Sequence, residues 1–267
     1  MKTSTAVVNA CTVGHLTDNP MGTVQPRLDE LWNANSRGEH RLFDPDAVPA
    51  AARKYLAHAI ASGAALSRAV RLRMHGEIKL KRWYPFTAEE VIRWGRGIVW
   101  RARVRMRGFT ITGSDSYVDG HAAMRWKLFG IVPVIAASGD DVARSAAGRV
   151  NIESLWLPSA LCAGDVTWTA AASSLRARFT AHNETAEIAY TLDAAGALRT
   201  VSMPRWGNPG GGAFRYEECG CFVEAERTFG AYTVPARVRV GWYFGTPRFE
   251  TEGEFFRAVV DDAVYRE

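Results

Sequence analysis

Arg149 and Glu153 stand four residues apart, with Trp156 one turn further on. On a helix that spacing places the three on one face or its margin. Such a pair can wall a pocket: the guanidinium holds a carboxylate or phosphate headgroup, and the carboxylate serves as a base. The competing explanation is an intrahelical ion pair in the less favourable order, Arg before Glu. Asp115, Tyr117 and Asp119 form a second set. In an extended segment they share a face, where paired carboxylates act as acid and base or bind a cation. The neighbouring turn glycines also fit plain Asx-turn chemistry. In an enzyme, Glu153 and Asp115 are the candidate acid–base groups and Arg149 the anion stabiliser.

Nine tryptophans offer a different chemistry. Trp100, Trp126, Trp168 and Trp242 fall on strand-like segments and Trp156 on a helical one. Large rigid rings on an inward face can line a pocket for an apolar ligand, or can simply fill a core. With Tyr117 and Arg149, these five are the candidate ligand-binding residues.

Other sets are weaker. Cys219-Gly220-Cys221 has neither the redox spacing nor the usual zinc spacing, and is read as reduced structural thiol. The six histidines show no metal-ligand pairing, and Gly-x-Ser-x-Gly, Gly-x-Gly-x-x-Gly and P-loop patterns are absent. No metal and no cofactor are expected. Arg101, Arg103, Arg105 and Arg107 alternate along one strand face. Phosphate binding uses such charge, but Trp100 points the other way, so nucleic acid is not the expected partner.

The elements that must position these residues follow from periodicity. The 267 residues are 47% hydrophobic and 23% charged with net charge +5, an ordinary globular balance. Residues 1–43 are irregular, with a weak helical patch near Leu28 to Trp32, and are expected to form a mobile or wrapping arm. Asp44-Pro45-Asp46 opens a helix that Gly63 stops. Val70 to Leu80 alternate at period two, as do Trp100 to Met106. Pro85-Phe86-Thr87-Ala88-Glu89-Glu90 predicts a helix start, with Thr87 as N-cap and Glu90 at the capping-box position. Gly113-Ser114 and Asp119-Gly120 predict turns. Residues 121–137 read as a strand pair bent near Pro133, and 139–162 as helix with Pro158 ending it or starting a new turn. Further strands run at 166–170, 174–182, 185–192, 197–203, 214–228, 232–244 and 254–265, with a Pro/Gly-rich loop at 204–212. Residues 68–107 are strongly basic and 250–267 acidic, so the two regions either attract each other or each meet a partner.

No stretch is apolar enough for a transmembrane segment. Val8-Asn9-Ala10-Cys11 faintly resembles a lipoprotein cleavage box, but the apolar run before it is too short. The chain is read as unprocessed and cytoplasmic.

Ala52-Arg53-Lys54-Tyr55-Leu56, Asp115-Ser116-Tyr117-Val118-Asp119-Gly120, Arg149-Val150-Asn151-Ile152-Glu153, Trp156-Leu157-Pro158-Ser159-Ala160-Leu161 and Phe229-Gly230-Ala231-Tyr232-Thr233-Val234-Pro235 recur in order. Over residues 44–265 the chain resembles a family of uncharacterised bacterial proteins, which looks like the LolA/LolB-type lipoprotein-carrier superfamily. The pattern of elements gives one α+β domain over 44–267. The resemblance implies a curved antiparallel half-barrel with helices plugging its concave face over an apolar cavity. The expected function is binding of an apolar or amphipathic, lipid-like small molecule. The alternative is a hydrolase or cyclase/isomerase acting on a hydrophobic substrate in the same cavity. The oligomeric state is left open.

Overall fold

Period-two alternation becomes strand almost wherever it occurs. The computed structural model describes residues 27–35, 40–171 and 174–267. β1 (Ala69–Lys79), β2 (Trp83–Arg93), β3 (Gly97–Met106), β4 (Phe109–Val118), β5 (His121–Leu128) and β6 (Val132–Ala137) follow one another as a meander. β7 (Thr167–Ala171), β8 (Ser174–Ala181), β9 (Glu184–Leu192), β10 (Leu198–Gly207), β11 (Arg215–Phe229), β12 (Tyr232–Trp242) and β13 (Glu254–Arg266) form a second. β1 pairs antiparallel with β13, and the described residues build one curved, unclosed thirteen-stranded sheet with β6 and β7 at its edges.

Those two edge strands are consecutive in the chain. The connection between them, α3 (Asp140–Ile152) followed by 3-10 turns at Glu153–Trp156 and Pro158–Cys162, runs over the inner face. α3 lies against β3, β4 and β5 on one side and β9 and β10 on the other. α2 (Ala50–Ala59) buries Tyr55, Leu56 and Ala59 on the same face. This is the half-barrel with inner helices that the sequence suggested.

Three expectations need correction. The segment around Glu90 is not a helix start but β2. Phe86, Ala88, Glu90 and Ile92 alternate inward, and pairing with β1 and β3 on both sides outweighs the local capping-box pattern. Gly113-Ser114 is not a turn either. It lies inside β4, and a Cβ on Gly113 would sit 2.4 Å from the Trp126 ring, so the glycine makes room for that side chain. Residues 204–207 of the expected loop continue β10 and carry Arg205 inward.

The patch in the arm is a helix, α1 (Leu28–Asn33), which packs on the outer face. Leu28 and Leu31 meet Val91 and Val99 there. Arg93 donates hydrogen bonds to the carbonyls of Leu31, Trp32 and Ala34, supplying the donors that the end of a helix leaves unmet. The remainder of the arm, with Cys11 and the residues on which the cytoplasmic reading rests, lies outside the described residues. No helix among the described residues is long and apolar enough to cross a membrane. The basic and acidic regions meet along the β1–β13 seam, where Arg73 pairs with Asp262 at 2.8 Å and His75 with Asp261 at 2.9 Å.

Candidate functional site

Strand register builds the site. Glu90 on β2 lies opposite Trp100 on β3, Trp100 opposite Asp115 on β4, and Asp115 opposite Met124 on β5. These positions form one row across the inner face, with a carboxyl group on each side of an indole. α3 lowers Arg149 onto that row, its guanidinium carbon 5.3 Å from the centre of the Trp100 ring. Arg149 Nη2 donates to Glu90 Oε1 at 2.8 Å and Nε donates to Glu153 Oε1 at 2.7 Å, while Nη1 stands 3.6 Å from Asp115 Oδ2. Asp115 also accepts a hydrogen bond from Trp126 Nε1 at 2.9 Å. One cation is thus gripped by three carboxyl groups in a site largely closed to water.

That crowding decides protonation. Burial, and then the negative charge of Glu153, push the Glu90 carboxyl well above the usual carboxylate range; Arg149 pulls the other way without offsetting them. Glu90 Oε2 and Glu153 Oε2 are both buried with no hydrogen-bond partner among the described residues. Both carboxyl groups are drawn onto the one Arg149 guanidinium, so the charge of Glu153 adds to the cost of ionising Glu90. Glu90 is therefore held toward its neutral form.

A cavity of about 70 Å³ opens beside this cluster. Arg149, Ile152, Glu153, Leu155 and Trp156 line it from the helical side. Trp100, Ile78, Val240 and Phe256 line it from the sheet, with Cys219 and Cys221 at one end. The lining is mainly apolar. Trp156 is anchored by its Nε1 donating to the Pro235 carbonyl at 2.9 Å. Trp100 Nε1, like Glu153 Oε2, is buried with no protein partner. A second space of about 30 Å³ lies on the other side of Arg149 and Arg205 and is lined by Asp115, Met124 and Val142.

Of the residues singled out in the sequence, Trp100, Arg149, Glu153 and Trp156 come together at the larger cavity. Asp115 and Trp126 stand behind them, on the far side of Arg149. Tyr117 is elsewhere: its hydroxyl donates to the His182 carbonyl at 2.8 Å, where β4 meets the β8–β9 turn. Asp119 binds Arg96 at a surface turn. Trp168 stacks among Tyr55 and Tyr190 beneath α2, as core. Trp242 packs with Cys219 and Tyr243 under the Arg205 guanidinium.

Two residues escaped the sequence reading. Glu90 reads locally as part of a helix cap, although its place in the Phe86-Ala88-Glu90-Ile92 alternation marks it as inward. Arg205 falls in the Pro/Gly-rich stretch that reads as a loop. It is buried, its Nε donates to the Ser145 carbonyl at 3.1 Å, and Gly148 clears the space its stem occupies beside α3. Among the described residues no group of His, Cys, Asp or Glu is arranged to hold a metal ion.

An open antiparallel sheet curved round helices, with an apolar cavity between them, defines a helix-filled half-barrel. The chain belongs to a family of unknown function, DUF6920, which matches residues 46–265. No curated protein matches it. Among solved structures it is similar to a LolA superfamily protein from Nitrosomonas europaea, at 8% identity and a TM-score of 0.42, covering 81% of this chain and 92% of that one. It is also similar to a DUF1329 family protein from Desulfovibrio piger, at 8% identity and a TM-score of 0.41, covering 74% and 86%.

Proposed function

We propose that the chain binds an apolar or amphipathic small molecule between α3 and the sheet. The observation that carries this reading is an apolar cavity whose wall keeps a buried donor, Trp100 Nε1, and a buried carboxylate, Glu153, in one place. Apolar burial supplies affinity and the polar pair orients a hydroxyl or similar group. The anion-holding role foreseen for Arg149 is weakened, because three carboxyl groups of the protein surround that guanidinium. A ligand that donates a hydrogen bond suits the site better than an anionic one.

The size of the cavity adds a condition. At about 70 Å³ it is roughly half the ~150 Å³ of an engineered cavity that takes up benzene. A lipid-sized ligand therefore enters with displacement of the Ile152–Trp156 segment. The test is native mass spectrometry on protein purified from its own host, beside a denaturing spectrum of the same sample. An adduct present natively and lost on denaturation is expected, and Leu155→Trp, which fills the cavity, should abolish it. A clean apo mass in every preparation counts against the reading.

The Glu90–Glu153 pair supports a second reading, in which the same cavity hosts acid–base chemistry on a hydrophobic substrate as a hydrolase or cyclase/isomerase. A carboxyl group held toward its neutral form next to a second carboxyl group is an arrangement such steps use. Turnover of hydrophobic esters or lactones that disappears in Glu153→Gln, with the fold retained, would favour it over plain binding.

A further inference from the structure

The β3–β4 and β5–β6 turns lie side by side at one end of the sheet. Met106 faces Phe109 across the first, and Leu128 faces Val132 across the second. The Phe129 N–H donates to the Thr110 carbonyl at 2.9 Å, and the Phe109 and Phe129 rings meet edge to face with centroids 6.4 Å apart. The combined tip is apolar and open to solvent: Phe129 is 60% exposed and Ile131 78%, with Val132 and Val134 also exposed. An apolar patch of this kind on a folded surface marks an interaction site.

Its surroundings indicate the partner. Arg103, Arg105 and Arg107 on and after β3, and Lys127 on β5, are exposed, and among the described residues no carboxylate pairs with any of them. Several other surface cations of the sheet are matched: Arg71 and Arg101 with Glu89, Arg73 with Asp262, Arg176 with Glu187 and Arg239 with Glu254. Arg178, Arg227 and Arg237, by contrast, are exposed, and no carboxylate pairs with them among the described residues. At the tip, unpaired cations stand beside the exposed Phe109, Phe129, Ile131, Val132 and Val134. We infer that this tip docks on an anionic lipid bilayer. Phe109, Phe129, Ile131 and Val132 enter the headgroup boundary while the Arg103–Arg107 ladder and Lys127 meet lipid phosphates.

Two other occupants fit less well. Ile131, Val132 and Val134 present no ring face on which bases stack. Strand addition by a second copy is hindered because Pro133 removes a donor from the edge strand and the β5–β6 register shifts at Trp126/Lys127. The position is also apt. Ile78 pairs with Tyr84 and Phe256, and Phe86 with Val104, so the cavity lies toward the end of the sheet that bears the tip.

The experiment is co-sedimentation of the full chain with vesicles of phosphatidylcholine alone or mixed with phosphatidylglycerol, across a salt series. Binding to the anionic vesicles is expected, weak on neutral ones and falling steeply with salt. Arg105→Gln/Lys127→Gln should weaken binding about fivefold per charge removed. Phe129→Asn/Ile131→Ser should weaken it at least tenfold with an unchanged unfolding midpoint, since both side chains are exposed and Asn suits the positive φ of residue 129. No sedimentation with anionic vesicles overturns the inference, as does sedimentation that the apolar variant leaves untouched. Retention on a single-stranded oligonucleotide without vesicle binding overturns it in favour of nucleic acid.

Discussion

Glu90 and Glu153 each place one carboxyl oxygen on the Arg149 guanidinium, so a single cation of α3 joins the sheet to the turn that follows the helix. Because Glu90 titrates above its ordinary value, the fold favours its neutral form. The linked stability is fully present below the unfolded carboxyl pKa and is lost as pH rises through the folded one. Urea midpoints measured from acid to mildly alkaline pH should show this slope. Glu90→Gln, a neutral isostere, should flatten it, whereas Glu90→Leu should cost on the order of 3 kcal/mol by leaving the buried cluster unbalanced. Equal loss in Glu90→Gln at every pH would mean that Glu90 is ionised.

Glu254 behaves in the opposite sense. Burial raises its pKa, but hydrogen bonds from Arg239 and Arg257 outweigh that and hold it at about 2. Its contribution is present above the unfolded carboxyl value and is lost as pH falls through the folded one. Acid unfolding should therefore begin at higher pH in Arg239→Gln, and Glu254→Gln should remove much of the acid-limb slope. Unchanged acid midpoints in both would sink the assignment.

The thiols give a probe of opening. Burial, then the neighbouring Cys219, push Cys221 up to about 12, and burial pushes Cys162 up to about 12. In a Cys11→Ser background, a thiol-reactive dye at neutral pH should label the folded chain slowly and the unfolded chain fast. Cys219 and Cys221 line the cavity, so a bound ligand should slow their labelling further. Rapid labelling of the folded chain at Cys221, followed by mass spectrometry, would show that the helices do not seal it.

Trp168 and Trp100 separate core from site. Trp168→Ala should destabilise by about 3–5 kcal/mol, because its ring packs on Tyr55 and Tyr190 and leaves a void. It should leave the affinity of the folded chain for a cavity ligand unaltered. Trp100→Phe should cost less stability and weaken binding, since it removes the buried Nε1 from the cavity wall. Denaturant titration alongside the native mass assay measures both, and the reverse pattern would contradict the placement.

Much of the sheet was legible because alternation is a local property: Trp100 to Met106 declare their faces without reference to any neighbour. Site membership is not local. Trp100, Trp168 and Trp242 look alike in sequence, yet one meets the cavity and two do not, because that depends on which strands lie beneath α3. Glu90 failed for a related reason. Thr87 to Glu90 fits a capping box as well as a strand, and the pairing of β2 with β1 and β3, which sequence does not display, resolves the tie.

The strand order carries a kinetic consequence. Each neighbour in the described sheet is also a neighbour in sequence, except where β1 (residues 69–79) meets β13 (residues 254–266). Each meander can therefore form from short hairpin closures, and nearly the whole domain must be looped to join them. That seam is the slow, high-contact-order step. The two halves should collapse early as separate units and wait on one another, and a substitution that weakens the seam, such as Gly76→Val beside the Arg257 backbone, should retard their final docking.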